Sequence, residues 1–283
     1  MNNEEKLDYK LIRSQLENGK VIPFLGAAAS RISTPSPPTA LKLAELLLED
    51  TDFPKKESCD LATAAQYLKS VGGPGLLYDK LHGVFNTDYS VSSLHDYLAE
   101  VARNTPLLII TTNYDDLIER AFTEVEHDTV VHICNPKLGG KVFWATRRQD
   151  ENGELSTSEP EIALPNKLYI DLSTTTVIYK MHGTVDRRKS ERDQYVIAED
   201  DYIDFLTRMT KNSAIPKIVQ KDFSKRHFLF LGYSLRDWNF RVVLNRIKTD
   251  SKDYSQYESW AIQHQPSPAE RRFWARRGLV FMT

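Results

Sequence analysis

Apolar residues along the chain gather into short runs rich in β-branched and aromatic side chains, each followed by a polar or glycine-bearing turn. Residues 21–25, 107–110, 177–179, 227–231, 260–262 and 279–281 are such runs. They show no regular apolar–polar alternation, which fits strands covered on both faces, as in a parallel sheet between two helical layers. Residues 41–50, 61–69, 114–122 and 238–247 instead place apolar side chains at helical spacing. Ser267, Pro268 and Glu270 make a capping-box start for a last helix, and Gly278 ends it before the final run. The expected fold is α/β: a doubly wound, Rossmann-like, mostly parallel sheet of about six strands with helices on both faces.

Two segments break the alternation. Residues 32–38 hold three prolines and several hydroxyls, so they form a loop beyond the first strand, either a lid over a ligand or an ordinary connection. Residues 130–176 contain Gly139, Gly140, an Asn152-Gly153 turn and a strand-like piece at 141–145, and are expected to form a small inserted subdomain or hairpin. The chain therefore reads as one domain, 1–283, with an insertion. Ending on a strand without a closing helix, it is expected to be the N-terminal effector part of a longer protein.

Composition removes several function classes. The two cysteines, Cys59 and Cys134, lie far apart in sequence and cannot build a four-cysteine zinc site. No run approaches the roughly 20 apolar residues that cross a bilayer, and the polar start is unlike a signal segment, so the expected location is cytoplasmic with no membrane partner. Lys and Arg number 37 against 39 Asp and Glu, a formal charge of -2, which disfavours direct nucleic-acid binding. Arg187, Arg188 and Lys189 are followed by Glu191, Arg192 and Asp193 and read as a solvated mixed-charge loop.

In doubly wound sheets ligands bind at the carboxyl ends of the strands. The first strand runs into Gly26-Ala27-Ala28-Ala29-Ser30, small residues that suit either a diphosphate or tight strand–helix packing. The second ends in Thr111-Thr112-Asn113-Tyr114-Asp115-Asp116, more polar groups than a helix cap needs, although Asn113 or Asp115 is expected to cap the next helix. The third delivers Met181-His182-Gly183-Thr184, a histidine that is either a packing residue or a base, beside a glycine that permits close backbone approach. The fourth ends in Gly232-Tyr233-Ser234, followed by Asp237, which would hold a ribose or phosphate or cap a helix. Four such ends define one cleft.

The order Gly-Ala-x-x-Ser, Thr-Asn-Tyr-Asp, His-Gly, Gly-Tyr-Ser resembles the sirtuin superfamily, in particular the zinc-free sirtuin-like NAD hydrolases of bacterial antiviral defence, over residues from about 20 to 282. The resemblance implies NAD as substrate, no metal, and cleavage of the nicotinamide–ribose bond to nicotinamide and ADP-ribose. By the same likeness Asn113, His182 and Asp115 are the catalytic set, with Gly26, Ala27, Ser30, Thr112, Tyr114, Gly232, Tyr233, Ser234 and Asp237 binding the dinucleotide. It also implies a homo-oligomer and a sensor or nucleotide-hydrolysing partner module. Ala28 stands where the family usually has a second glycine, and the missing zinc cysteines argue against a protein deacylase. The alternatives are a module that senses NAD or ADP-ribose without cleaving it, and a zinc-free ADP-ribosyltransferase or deacylase. A reference imidazole pKa near 6.5 leads to the expectation that activity falls as pH drops below that value.

Overall fold

The structure, a computed structural model, describes residues 3–54, 59–134, 138, 140–210, 215–223, 225–233, 241–242, 259–263, 266–276 and 278–282. In chain order its main elements are α1 (Asn3–Glu17), β1 (Val21–Leu25), α2 (Ala40–Leu48), α3 (Leu61–Phe85), α4 (Ser93–Ala102), β2 (Leu108–Thr111), α5 (Leu117–Ala121), β3 (His127–His132), β4 (Val142–Gln149), β5 (Leu155–Thr157), β6 (Glu161–Ala163), β7 (Thr176–Lys180), β8 (Gly183–Thr184), β9 (Gln194–Tyr195), α6 (Glu199–Thr210), α7 (Lys217–Phe223), β10 (His227–Leu231), β11 (Ser259–Ile262), α8 (Pro268–Ala275) and β12 (Leu279–Met282).

All six apolar runs are strands of one sheet, as their two-faced hydrophobicity requires. In β1, Ile22 and Phe24 enter one core while Val21 and Leu25 enter the other. Phe228 and Phe230 against Leu229 and Leu231 divide β10 in the same way. The first core is closed by Phe205, Val219, Phe223 and Trp274 from α6, α7 and α8, the second by Ile12 and Leu16 of α1 and Leu98 and Val101 of α4. Helices thus cover both faces.

The sheet is larger than expected. Among the described residues it has 10 strands, in the order β12-β11-β10-β1-β2-β7-β3-β4-β5 with β6 paired to β4. From β12 to β3 every neighbour is parallel, and β4, β5 and β6 add antiparallel strands. Residues 127–163 therefore extend the main sheet. β3 escapes a search for apolar runs because it buries His127, Asp128 and His132, with Asp128 paired to Arg148 and to the Trp144 indole.

The helical expectations hold with shifted bounds. The 61–69 helix continues to Phe85 across a break at Gly73, where φ is 78°, before Pro74. The 114–122 helix begins only at Leu117, because Asp115 Oδ1 accepts from the Leu117 amide in a tight turn. Ser267 and Glu270 form the capping box, and Gly278 is left-handed at φ 71°. The expected helix at 238–247 lies outside the described residues. Among the described residues no helix is long and apolar enough to cross a membrane.

Chain order reverses direction between β1 and β10, so the topological switch point of the parallel sheet lies there. Helices α2 and α3 lie across the strand ends, packing Leu43, Leu68, Leu77 and Phe85 with Tyr114, Tyr195 and Ile197. Lys69 of α3 pairs with Asp201 of α6 at 2.7 Å. A cleft is left between this helical layer and the carboxyl edge of the sheet.

Buried histidines give this core a pH dependence. Burial pushes His95, in the capping box of α4, down to about 4, and lowers His127. Both are neutral when folded and take up a proton near pH 6.5 when unfolded, so their contribution is complete above that pH and is lost as pH falls through it towards 4. The melting temperature is expected to drop between pH 7 and 4.5, with a shallower drop in His95→Gln. Equal slopes for the two proteins would show that His95 carries none of the effect.

Candidate active site

The cleft at the sheet edge encloses about 590 Å³. Ala27 and Ala28 line it from the turn after β1, Thr112, Asn113 and Asp115 from the turn after β2, His182 from the end of β7, and Gly232 and Tyr233 from the turn after β10. Four strand ends separated by up to two hundred residues of sequence therefore meet in one place. Ser234 and Asp237 lie outside the described residues.

Glycine is required where β1 and β10 end. Gly26 N donates to Leu231 O at 2.9 Å and Ala28 N to Gly232 O at 3.0 Å, locking the two turns together. A Cβ on Gly232, whose φ is +66°, would lie 2.2 Å from Ala29 N, and one on Gly26 would lie 2.6 Å from Gly232 O. Ala28 occupies a 3-10 turn, Ala27–Arg31, where its methyl causes no backbone strain. With the Ala28 and Ala29 amides bonded to Gly232 O and Gly26 O, the groups that this turn leaves for an anion are the Ala27 amide and the exposed guanidinium of Arg31. Arg31 went unnoticed in the sequence, where a cation after a run of small residues carries no pattern of its own.

Ser30 does not face the cleft. It is fully buried, and its hydroxyl accepts from Asn113 Nδ2 at 2.9 Å and bonds the Asp115 carboxylate. Asn113 Nδ2 also donates to Gly26 O at 3.1 Å, and the Asn113 amide donates to Thr111 Oγ1 at 3.0 Å. Both side-chain N–H groups of Asn113 are thereby engaged, which leaves its carbonyl oxygen as the atom to offer a ligand.

Asp115 is held between opposing effects. Burial pushes its carboxyl above the usual range, while the Lys180 ammonium, the Leu117 amide and the Ser30 hydroxyl draw it back. Lys180 is itself completely buried at the end of β7, donating to the Asp115 carbonyl and pairing with Glu119 at 2.8 Å. Sequence reading missed Lys180, because a lysine closing an apolar run looks like the point where a strand meets solvent.

His182 sits with its ring edge-on to Tyr202 and Phe205, each 5.5 Å away. Burial, reinforced by His132, pushes its pKa down to about 3, which replaces the expected value near 6.5 and keeps the imidazole neutral across cellular pH. Gly183 follows with φ +91°, and a Cβ there would fall 2.0 Å from Gln194 O, so the glycine lets β8 and β9 close behind the histidine. Tyr114, expected to bind the dinucleotide, borders the cleft but is mostly committed to the core. Its hydroxyl donates to Val196 O at 2.7 Å and its ring packs on Phe85 and Tyr195.

The family model described as SIR2-like domain matches residues 107–282. An NAD(+) hydrolase ThsA from Enterococcus faecium is 27% identical over 254 residues, covering 87% of this chain and 43% of that protein. Defense-associated sirtuin 2 from Bacillus subtilis is 26% identical over 277 residues, 95% of this chain and 24% of that protein. An NAD(+) hydrolase ThsA from Bacillus cereus is 25% identical over 210 residues, 74% of this chain and 36% of that protein. The chain thus spans less than half the length of these relatives.

The paired turns make a direct prediction. Gly232→Ala should lower stability by about 2 kcal/mol or more, read by urea unfolding, because a methyl must part the Gly26 and Gly232 turns. Unchanged stability would mean that the two turns are not in contact.

Proposed function

The chain belongs to the SIR2-like domain family, and from that membership and the cleft we propose that it hydrolyses NAD at the nicotinamide–ribose bond, releasing nicotinamide and ADP-ribose. The observation that carries this reading is the convergence of Asn113, Asp115 and His182 beside the glycine-paired turns at the switch point of the sheet. Relatives named NAD(+) hydrolase, and one named a defence-associated sirtuin, support it and its assignment to antiviral defence.

In this reading the adenosine half and diphosphate lie along the Ala27 amide, Arg31, Gly232 and Tyr233, and the nicotinamide carboxamide donates to the Asp115 carboxylate. The ring nitrogen of NAD is cationic, so the C–N bond breaks with its electron pair passing to the pyridine, and positive charge develops on the ribose. Water, held by a hydrogen bond to the Asn113 side-chain oxygen, forms the new C–O bond at the anomeric carbon. The water proton goes to His182, which is unprotonated at cellular pH; burial weakens it as a base, and the water joining the cationic ribose becomes acidic enough to give up its proton. Ser30 acts through Asn113 and Asp115, orienting both. The protein is expected to act as a homo-oligomer, with a further module controlling when NAD is consumed.

Separation of products by chromatography tests the assignment. Asn113→Ala and His182→Ala should each lower nicotinamide release by at least a hundredfold while melting as the parent does. Full activity in either folded variant would overturn its role, and NAD-induced stabilisation without any release by the parent would favour a sensing module. The pH profile is a separate check. Because His182 is neutral from well below pH 5 upwards, kcat/KM should show no inflection near 6.5, and a fall centred there would contradict the buried imidazole.

A further inference from the structure

A second cavity, of about 310 Å³, is lined in part by Asp116, Glu119, Thr184 and Val185, which follow Asn113 and His182 closely in the chain. Val131 of β3, Phe143 and Ala145 of β4 and Val185 give it apolar sides. Asp116 and Glu119 enter from the turn and helix that follow Asn113, and each has one carboxylate oxygen engaged. Asp116 Oδ2 is 2.9 Å from Arg187 Nε, and Glu119 Oε1 is 2.8 Å from Lys180 Nζ. The other two oxygens, Asp116 Oδ1 and Glu119 Oε2, are buried with no hydrogen-bond donor among the described residues, and Arg187 Nε and Arg192 Nη1 of the same lining are buried with no acceptor in hydrogen-bond geometry there. Buried acceptors of this kind are rare in native structures and point to a missing partner. Burial, with the Glu119 carboxylate close by, also pushes the Asp116 carboxyl up.

Four arginines, Arg147, Arg187, Arg188 and Arg192, also line the cavity. Arg147 gives Nε to Thr123 O and Nη1 to Thr157 Oγ1, keeps further N–H groups and meets no carboxylate among the described residues, and Arg188 stands exposed. Arg192, bound to Glu159 and 3.7 Å from Asp186, and Arg187, paired with Asp116 and near Asp88, complete the charged wall. Arg147 and Arg188 are the two guanidinium groups of this lining with no carboxylate partner among the described residues, and they favour an anion beside them.

We infer that this cavity binds a small aromatic or heteroaromatic acid that carries an amino group. The ring lies against Phe143 and Val185, the amino group donates to Asp116 Oδ1 and Glu119 Oε2, and the acid faces Arg147 and Arg188. An occupant would bear on the same two segments that form the catalytic cleft. Val185 N donates to Tyr114 O at 2.9 Å, and Glu119 reaches the Asp115 carbonyl through Lys180. The 184–192 loop is in this light part of a binding site, where its sequence suggested only solvated charge.

The test titrates 4-aminobenzoate, benzoate and aniline into the full chain by equilibrium dialysis, in the presence and absence of saturating NAD. One 4-aminobenzoate per chain should bind at least tenfold more tightly than benzoate or aniline, and its stoichiometry should stay one per chain in saturating NAD. Arg188→Ala, a surface change, should weaken it at least fivefold, and Ala145→Trp should abolish it by filling the cavity. No saturable binding of any of the three below millimolar concentration would overturn the inference, as would displacement by NAD or indifference to Arg188→Ala. None of these readouts depends on NAD cleavage, so their failure leaves the hydrolase reading untouched.

Discussion

No methyl group fits between the turn that leaves β1 and the turn that leaves β10, and the rest of the site depends on that contact. Gly26 and Gly232 bring two backbones together at the point where the sheet changes direction. The Gly26 carbonyl then receives the Asn113 side chain, Ser30 receives its second N–H, and the same Ser30 hydroxyl reaches Asp115. One close approach between strands thereby sets the position of two cleft side chains, Asn113 and Asp115, on a third. Small residues after the first strand were equally compatible with packing or with ligand contact, and in the structure they divide between the core and the cleft lining. Gly26 and Ser30 pack, while Ala27, Ala28 and Arg31 face the cleft.

Burial decides the chemistry that these groups can perform. A solvated histidine would be partly charged near neutrality, whereas the dry setting beside Tyr202 and Phe205 holds His182 as a free base. The same dryness disfavours a carboxylate at Asp115, and here the protein answers with a buried cation. Lys180 draws the Asp115 carboxyl back towards its charged form and ties the Asn113–Asp115 turn to α5 through Glu119. Removing either partner of a buried ion pair leaves an uncompensated charge, so Lys180 and Glu119 belong to the architecture of the site although neither lines the cleft.

The parallel half of the sheet was legible in the sequence because its strands are apolar on both faces, a pattern that a half-exposed strand does not produce. The ends of those strands were legible for the same reason, since polar residues placed directly after such runs stand out. β3 was not, because its buried polar residues find partners that only the folded chain supplies, Asp128 with Arg148 and Trp144 among them. The α3 helix ran past its expected end because Gly73 and Pro74 bend the path without ending it. Lys180 and the low pKa of His182 share one cause of invisibility: both are consequences of desolvation by residues remote in sequence. Tyr114 illustrates the converse, a residue in a functional-looking motif whose ring and hydroxyl serve the core.

The central claim is that the four strand ends form one dinucleotide site with the scissile bond at Asn113 and His182. A crystal structure of the His182→Ala variant grown with NAD tests it most directly. The account predicts the diphosphate beside Ala27 and Arg31, the adenosine half against Gly232 and Tyr233, and the anomeric carbon within reach of the Asn113 side-chain oxygen. Dinucleotide bound with its nicotinamide ribose away from Asn113, or held in the second cavity, would contradict it.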